Sequence, residues 1–197
     1  LGLPDDYADR YLPEIMARFS RAYPGVELTV ACEPSVELVE RIDSNELDLA
    51  IITDCGTSRA SEVFRRERLL WVTSNRHSTH LEEPLPLALG RPSCIWRRAA
   101  LECLETMGRS HHIAYTSANA TAVASAVLSG LAVSIFPESG LRPGMRVLSP
   151  GDGFPELPGC RVGLIRNPHE SLALADALAE HIISSLDNLS EAAQAAE

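Results

Sequence analysis

The order of strands and helices constrains this chain more than any single motif. Three strand-then-helix units fall in its first and middle thirds, and a fourth closes it after a long excursion. The opening third reads as a strand at 1–3, a helix at 7–23, a strand at 27–31, a helix at 35–47 and a strand at 48–53. The same grammar returns with a strand at 161–165 and a helix at 171–186. A chain that leaves one small sheet, builds another and comes back makes two lobes joined by two crossing segments. The fold class expected is therefore α/β, two Rossmann-like lobes with a central cleft suited to closing on a small molecule.

Local patterning supports each element. Ala8, Tyr11, Leu12, Ile15, Met16, Phe19 and Ala22 keep the 3–4 spacing of one buried helical face. Asp5 or Asp6 is placed to cap that helix, and Pro13 either kinks it or restarts it. Tyr23-Pro24-Gly25 ends it, because the residue before proline avoids the helical region. Ser35 reads as the cap of the second helix, and Leu49-Ala50-Ile51-Ile52 as a parallel strand covered on both faces. Ligands gather beyond the carboxyl ends of parallel strands. That rule puts Pro4, Asp5 and Asp6, then Pro34 and Ser35, then Thr53 and Asp54 on one rim.

The middle block reads as strands at 68–73, 84–89, 111–115 and 131–136, with helices at 95–107 and 119–129. Gly108 and Gly130 mark the two helix ends. A short strand at 145–148 and a Pro/Gly-rich stretch at 150–159 lead back, and the tail 187–197 is a frayed end or a solvated helix extension.

Composition excludes several classes. No run of about 18 apolar residues exists, so no membrane span is expected. All 17 basic residues are arginine, and the net charge of −10 argues against a grip on nucleic acid by this chain itself. The one dense basic run, Arg65-Arg66-Glu67-Arg68, is assigned to a strand edge or surface. Five scattered cysteines suit a reducing cytoplasm better than a disulfide framework. His111-His112 would face opposite sides of a strand, and His169-Glu170 lacks a second histidine, so no metal site is expected. No GxSxG elbow or phosphate-binding glycine loop appears, so no catalytic residue, enzyme activity or cofactor is expected.

Three segments in order carry a resemblance. They are Tyr11-Leu12-Pro13 through Phe19 to Tyr23-Pro24-Gly25-Val26-Glu27-Leu28; Leu38-Val39-Glu40-Arg41-Ile42 to Asn45-Glu46-Leu47-Asp48-Leu49-Ala50-Ile51; and Val127-Leu128-Ser129-Gly130-Leu131-Ala132-Val133-Ser134-Ile135-Phe136-Pro137-Glu138-Ser139. With these, the chain resembles the effector-binding (regulatory) domain of LysR-type transcriptional regulators over about residues 1–186. The resemblance implies a type 2 periplasmic-binding-protein-like fold. Lobe I would be residues 1–71 and 159–190, lobe II 72–158, and 191–197 a tail. A winged helix-turn-helix domain is expected upstream, absent from this chain, and DNA binding would run only through it.

The resemblance implies a small-molecule effector between the lobes, touched by Pro4, Asp5, Asp6, Ser35 and Thr53, and by Ser93, Cys94, Trp96, Ser117, Ala118 and Asn119. Two carboxylates at the first rim favour a neutral or cationic effector. It further implies a cytoplasmic homodimer, tetrameric at full length, paired antiparallel through residues 12–22 and a second-lobe strand and helix. Arg10, Arg18 and Arg21 would face acidic partner residues there. Two alternatives remain open at this stage. One is a thiol redox switch, because peroxide-sensing relatives carry a cysteine pair at the spacing of Cys94 and Cys103. The other is a solute-binding protein of a transport system.

Overall fold

A computed structural model describes residues 1–54, 61–169 and 173–186. The chain divides into two compact units, Leu1–Arg66 with Cys160–Glu197, and Glu67–Gly159.

The first unit is built on a five-stranded sheet in the order β2-β1-β3-β10-β4. Here β1 is Gly2–Leu3, β2 Ala31–Cys32, β3 Leu49–Asp54, β4 Glu62–Glu67 and β10 Cys160–Arg166. β1 lies parallel to both β2 and β3, so the carboxyl ends of these three strands share one rim. Strand β10 runs antiparallel to β3 over six residue pairs, from Arg161 against Asp54 to Arg166 against Leu49. The returning strand thus reverses the direction of the opening units and makes the sheet mixed.

Helix α1, Asp5–Ala22, buries Tyr7, Tyr11, Ile15 and Phe19, one residue every fourth position. Each such burial stabilises by roughly 1.5–3 kcal/mol relative to exposure. The helix runs through Pro13 without interruption. Its C-terminal aromatics meet α5, Ala173–Leu186, where the His181 ring stands edge-on to Phe19 and Tyr23 at 6.2 and 6.4 Å.

Two expected caps are replaced. Pro4 and Pro34 occupy the N-cap positions of α1 and α2 (Ser35–Asp43), with nearly identical backbone angles of −58°/148° and −58°/147°. Proline presets that φ, and its carbonyl accepts the first helical bonds: Tyr7 and Ala8 donate to Pro4, Leu38 to Pro34. Asp5 and Ser35 are therefore first-turn residues, and the Ser35 hydroxyl is released for another partner.

Three boundaries also move. The strand expected at 27–31 pairs only at Ala31–Cys32, because its neighbour β1 is two residues long. Helix α2 stops at Asp43 rather than 47: Asn45 takes a left-handed φ of 59°, and Glu46 N–H donates back to the Arg41 carbonyl. The strand expected from 131 begins at Ser134, preceded by a lone bridge from Val133 to Leu87. The expected tail at 187–197, residues 171 and 172 of the last expected helix, and Cys55 lie outside the described residues.

The second unit has a three-stranded antiparallel sheet, β8-β5-β9, and a parallel pair, β6–β7. β5 is Leu69–Ser74, β6 Leu85–Leu89, β7 His111–Thr116, β8 Ser134–Pro137 and β9 Met145–Val147. Val133 stitches them together, donating to the Pro86 carbonyl while its own carbonyl accepts from Ala88, both at 2.9 Å. Alternation along β5 and β6 sends Trp71, Leu87 and Leu89 to one core, with Ala100 and Leu104 of α3 (Ile95–Thr106). Val72 and Ala88 go to the other, with Val123, Ala124 and Val127 of α4 (Ala120–Leu128).

A buried histidine makes this unit sensitive to pH. His80 is 7% exposed, and its Nε2 lies 3.2 Å from Arg146 Nη1. Arginine can only donate, so Nε2 accepts and the neutral ring carries its proton on Nδ1. Burial, then Arg146 and Arg109, hold the imidazole below its ordinary 6.5, while Asp152 opposes them. Below about pH 6.5 the unfolded chain therefore takes up a proton more readily than the folded unit. Stability should be full above that pH and decline as pH falls toward the depressed folded value. Both tryptophans, Trp71 and Trp96, lie in this unit. Melting followed by their fluorescence should show a lower Tm at about pH 5.5 than at about pH 7.5, and His80→Gln should flatten that difference.

Candidate functional site

Sequence reasoning expected two sets of residues, and each unit brings its own set together. In the first unit, the carboxyl ends of β1, β2 and β3 lead into Pro4, Ser35 and Thr53. Thr53 is the junction: its N–H donates to Ser35 Oγ at 3.0 Å, and its hydroxyl shares a hydrogen bond with Tyr7 Oη at 2.9 Å. The three side chains form a continuous polar strip across α1, α2 and β3. Tyr7 is fully buried, so its ring anchors the strip from below.

Asp54, next along β3, is paired with Arg161 at 2.7 Å, with only 7% of the Asp54 side chain exposed. Asp5 and Asp6 are half-buried in the first turn of α1. At exposed Cys32 the thiol is pushed up by burial first and then by Asp5, Asp9 and Glu33. This rim carries a negative field.

In the second unit, the carboxyl ends of the parallel pair β6–β7 hold the other set. Cys94 is the N-cap of α3 and offers no side-chain cap bond. A Cβ on Gly90 would stand 2.9 Å from the Cys94 Cβ, so the β6–α3 turn accepts only glycine without shifting. Asn119 caps α4, its Oδ1 accepting from Ala122 N–H at 3.0 Å, while Asn119 N–H donates to Ser117 Oγ at 3.0 Å. Ser93 is exposed, Trp96 half-buried against the core, and Ala118 exposed.

A Cys94–Cys103 disulfide would require α3 to unwind. Cys94 and Cys103 sit at the start and in the third turn of an intact α3, roughly 13 Å apart along an axis rising about 1.5 Å per residue. A disulfide needs Cα atoms within about 7 Å. Burial also pushes the Cys103 thiol up, away from the reactive thiolate.

Two residues at these rims escaped sequence reasoning as site residues. Tyr7 was legible in the i, i+4 series Tyr7, Tyr11, Ile15, Phe19, but its hydroxyl's partner depends on tertiary contact. Arg97, half-buried in the first turn of α3, donates from Nη1 to the Gly90 carbonyl at 3.0 Å and to Thr116 Oγ1 at 3.3 Å. Among the described residues, no group of three or more His, Cys, Asp and Glu could hold a metal ion, and no helix is long and apolar enough to cross a membrane.

Comparison with known proteins agrees across sequence and structure. "HTH-type transcriptional regulator DgdR" of Burkholderia cepacia is 29% identical over 181 residues, which is 92% of this chain and 62% of that protein. "HTH-type transcriptional regulator PecT" of Dickeya dadantii is 29% identical over 178 residues, 90% of this chain and 56% of that protein. The chain thus spans about three fifths of the length of these curated relatives. Among solved structures, the Synechocystis PCC6803 CcmR regulatory domain in complex with 2-PG has a TM-score of 0.72 at 16% identity, covering 95% of this chain and 96% of that one. The regulatory domain of a HypT variant from Salmonella typhimurium has a TM-score of 0.75 at 16% identity, covering 93% and 94%. These likenesses fix the fold as the type 2 periplasmic-binding-protein-like α/β class. The model for the LysR substrate binding domain matches residues 1–187, and the chain belongs to that family.

Proposed function

We propose that this chain is the effector-sensing part of a LysR-type transcription factor. The observation that carries this reading is the Tyr7–Thr53–Ser35 strip at the shared carboxyl ends of three adjacent parallel strands. Polar groups at that location in an open α/β sheet are placed for a ligand. The residues proposed for effector binding are Pro4, Asp5, Asp6, Ser35 and Thr53 of the first unit, and Ser93, Cys94, Trp96, Ser117, Ala118 and Asn119 of the second. No chemical step is required of these residues, and the chain acts as a binding module rather than an enzyme. Its full-length form binds DNA through a helix-turn-helix domain outside this chain, works in the cytoplasm, and assembles as a dimer or tetramer. Effector binding shifts the assembly only if the two arrangements bind the effector unequally.

The test is a thermal-shift screen of metabolites against the wild-type chain, Ser35→Tyr and Ser117→Tyr. A ligand present at 100 times its Kd stabilises by about 2.7 kcal/mol. Either tyrosine should weaken that ligand at least tenfold, removing about 1.4 kcal/mol of the shift. Ser35→Ala, which loses only the bond from Thr53 N–H, should weaken it less. Ligands whose shifts survive both tyrosines would place the effector elsewhere.

A further inference from the structure

At the rim of the second unit, the internal hydrogen bonds leave mostly donors pointing outward. Gly90 O and Thr116 Oγ1 both accept from Arg97 Nη1, Asn119 Oδ1 accepts from Ala122, and Ser117 Oγ accepts from Asn119 N–H. Those bonds occupy the side-chain amide oxygen and a lone pair of each hydroxyl. The donors left over are the hydroxyl protons of Thr116 and Ser117, the amide protons of Asn119 and part of the Arg97 guanidinium, beside one further lone pair on each oxygen.

The Arg97 geometry is specific. Gly90 follows β6 and Thr116 ends β7, and Leu89 and Thr116 are register partners. One nitrogen, Nη1, therefore spends both its protons stapling two adjacent parallel strand ends. Nε–H and the two Nη2 protons have no acceptor among the described residues, and Arg97 has no ion pair there. That unspent edge is the planar two-pronged fork that matches a carboxylate or a similar oxyanion. The staple fixes the fork's orientation before any ligand arrives, which lowers the ordering cost of binding. A half-buried guanidinium with no counter-charge is also a cost that an anion would relieve.

We propose that Arg97 is the anchor for an oxyanion on the effector, a carboxylate or an inorganic oxyanion such as sulfate, with Ser117 and Asn119 donating to the same group. This deepens the effector-binding reading and rests on it. The acidic rim of the first unit alone favours a neutral or cationic effector; Arg97 adds an anionic group to the same effector's chemistry.

The probes are sodium acetate and sodium sulfate, each against sodium chloride at matched ionic strength. The readout is the Arg97 Nε–H cross-peak of the ¹⁵N-labelled chain, identified by its loss in Arg97→Lys. A saturable displacement by acetate or sulfate, absent with chloride, is the expected result. Saturation at lower acetate than sulfate assigns the carboxylate, and the reverse assigns the inorganic ion. Arg97→Lys keeps the positive charge and a donor for the staple but loses the fork, so the remaining rim amides should report at least tenfold weaker binding at a nearly unchanged Tm. A linear drift of the cross-peak with all three salts would overturn the proposal. So would metabolite shifts abolished by Ser35→Tyr but retained within twofold in Arg97→Lys; that outcome keeps the effector site and removes the anion from it.

Discussion

Trp71→Ala should destabilise the Glu67–Gly159 unit by about 3–5 kcal/mol, the usual cost of emptying a large aromatic site in a closed core. Trp71 is 2% exposed and is the largest fully buried side chain of the protein. Its ring packs against Phe154 at a centroid distance of 5.4 Å, and its Nε1–H donates to the Pro155 carbonyl at 3.1 Å. Truncation therefore opens a void, removes the stacking partner of Phe154 and leaves the Pro155 carbonyl to find another donor. The site cannot collapse easily, because Phe154 is itself held under the Arg109 guanidinium at 4.2 Å. A unit of about a hundred residues loses roughly 4–8 °C per kcal/mol, so the Tm should fall by more than ten degrees. Trp71→Phe keeps part of the stack and should cost clearly less. Trp96 remains as the reporter of this unit's melting in both variants. A fall of only a few degrees in Trp71→Ala would mean that the core around Phe154 repacks.

Gly2→Val should destabilise the first unit and disturb its rim at the same time. A Cβ at Gly2 would lie 2.5 Å from Leu38 Cδ2, 2.8 Å from Leu47 Cδ1 and 3.4 Å from Ala50 Cβ. All three neighbours are buried in one cluster with Ile42, Ile52 and Ile165. The leucine ends must shift within a closed core, and forcing extra carbons into such a core costs about 1–3 kcal/mol. The position adds a functional consequence. Gly2 lies in β1 between β2 and β3, and β1 leads directly into Pro4 and α1. Separating β1 from α2 should therefore displace Tyr7 from Thr53, so metabolite binding should weaken together with stability. Urea unfolding followed by tyrosine-sensitive near-UV signals should shift its midpoint, while the tryptophan-reported transition of the second unit stays in place. Unchanged binding in a folded Gly2→Val variant would show that the Tyr7–Thr53–Ser35 strip does not depend on β1.

Much of this architecture can be read from residue spacing, and what escapes has identifiable causes. The four-residue series along α1 and the apolar run of β3 carry their own signals, as does the Gly130 stop after α4. The start of strand β4 is unmarked in sequence, because the run Arg65 to Arg68 reads equally as a strand edge or as surface. Its pattern becomes intelligible only with tertiary partners: Arg65 stacks over the Tyr11 ring at 5.4 Å and donates to the Leu186 carbonyl at 3.0 Å. The antiparallel direction of β10 is equally silent in sequence, since strand polarity is set by the path of the intervening chain. At the rims, residue types were legible but their hydrogen-bond partners were not. Ser35 looked like a cap because serine usually is one; Pro34 took that place and freed the hydroxyl for Thr53. Arg97 carried no site signal of its own, because its reach to two strand ends exists only once β6 and β7 are paired.

The split of the first unit between the two ends of the chain also dictates an order of events at the ribosome. Residues 67–159 are contiguous and can become compact while synthesis continues. The opening residues must wait for β10 and α5 before β3 is covered along its open side. At about 5–20 residues per second that delay lasts several seconds or longer, during which the apolar β3 segment presents an unpaired edge to anything nearby. A nascent chain stalled just short of β10 should therefore be a preferred client for chaperones.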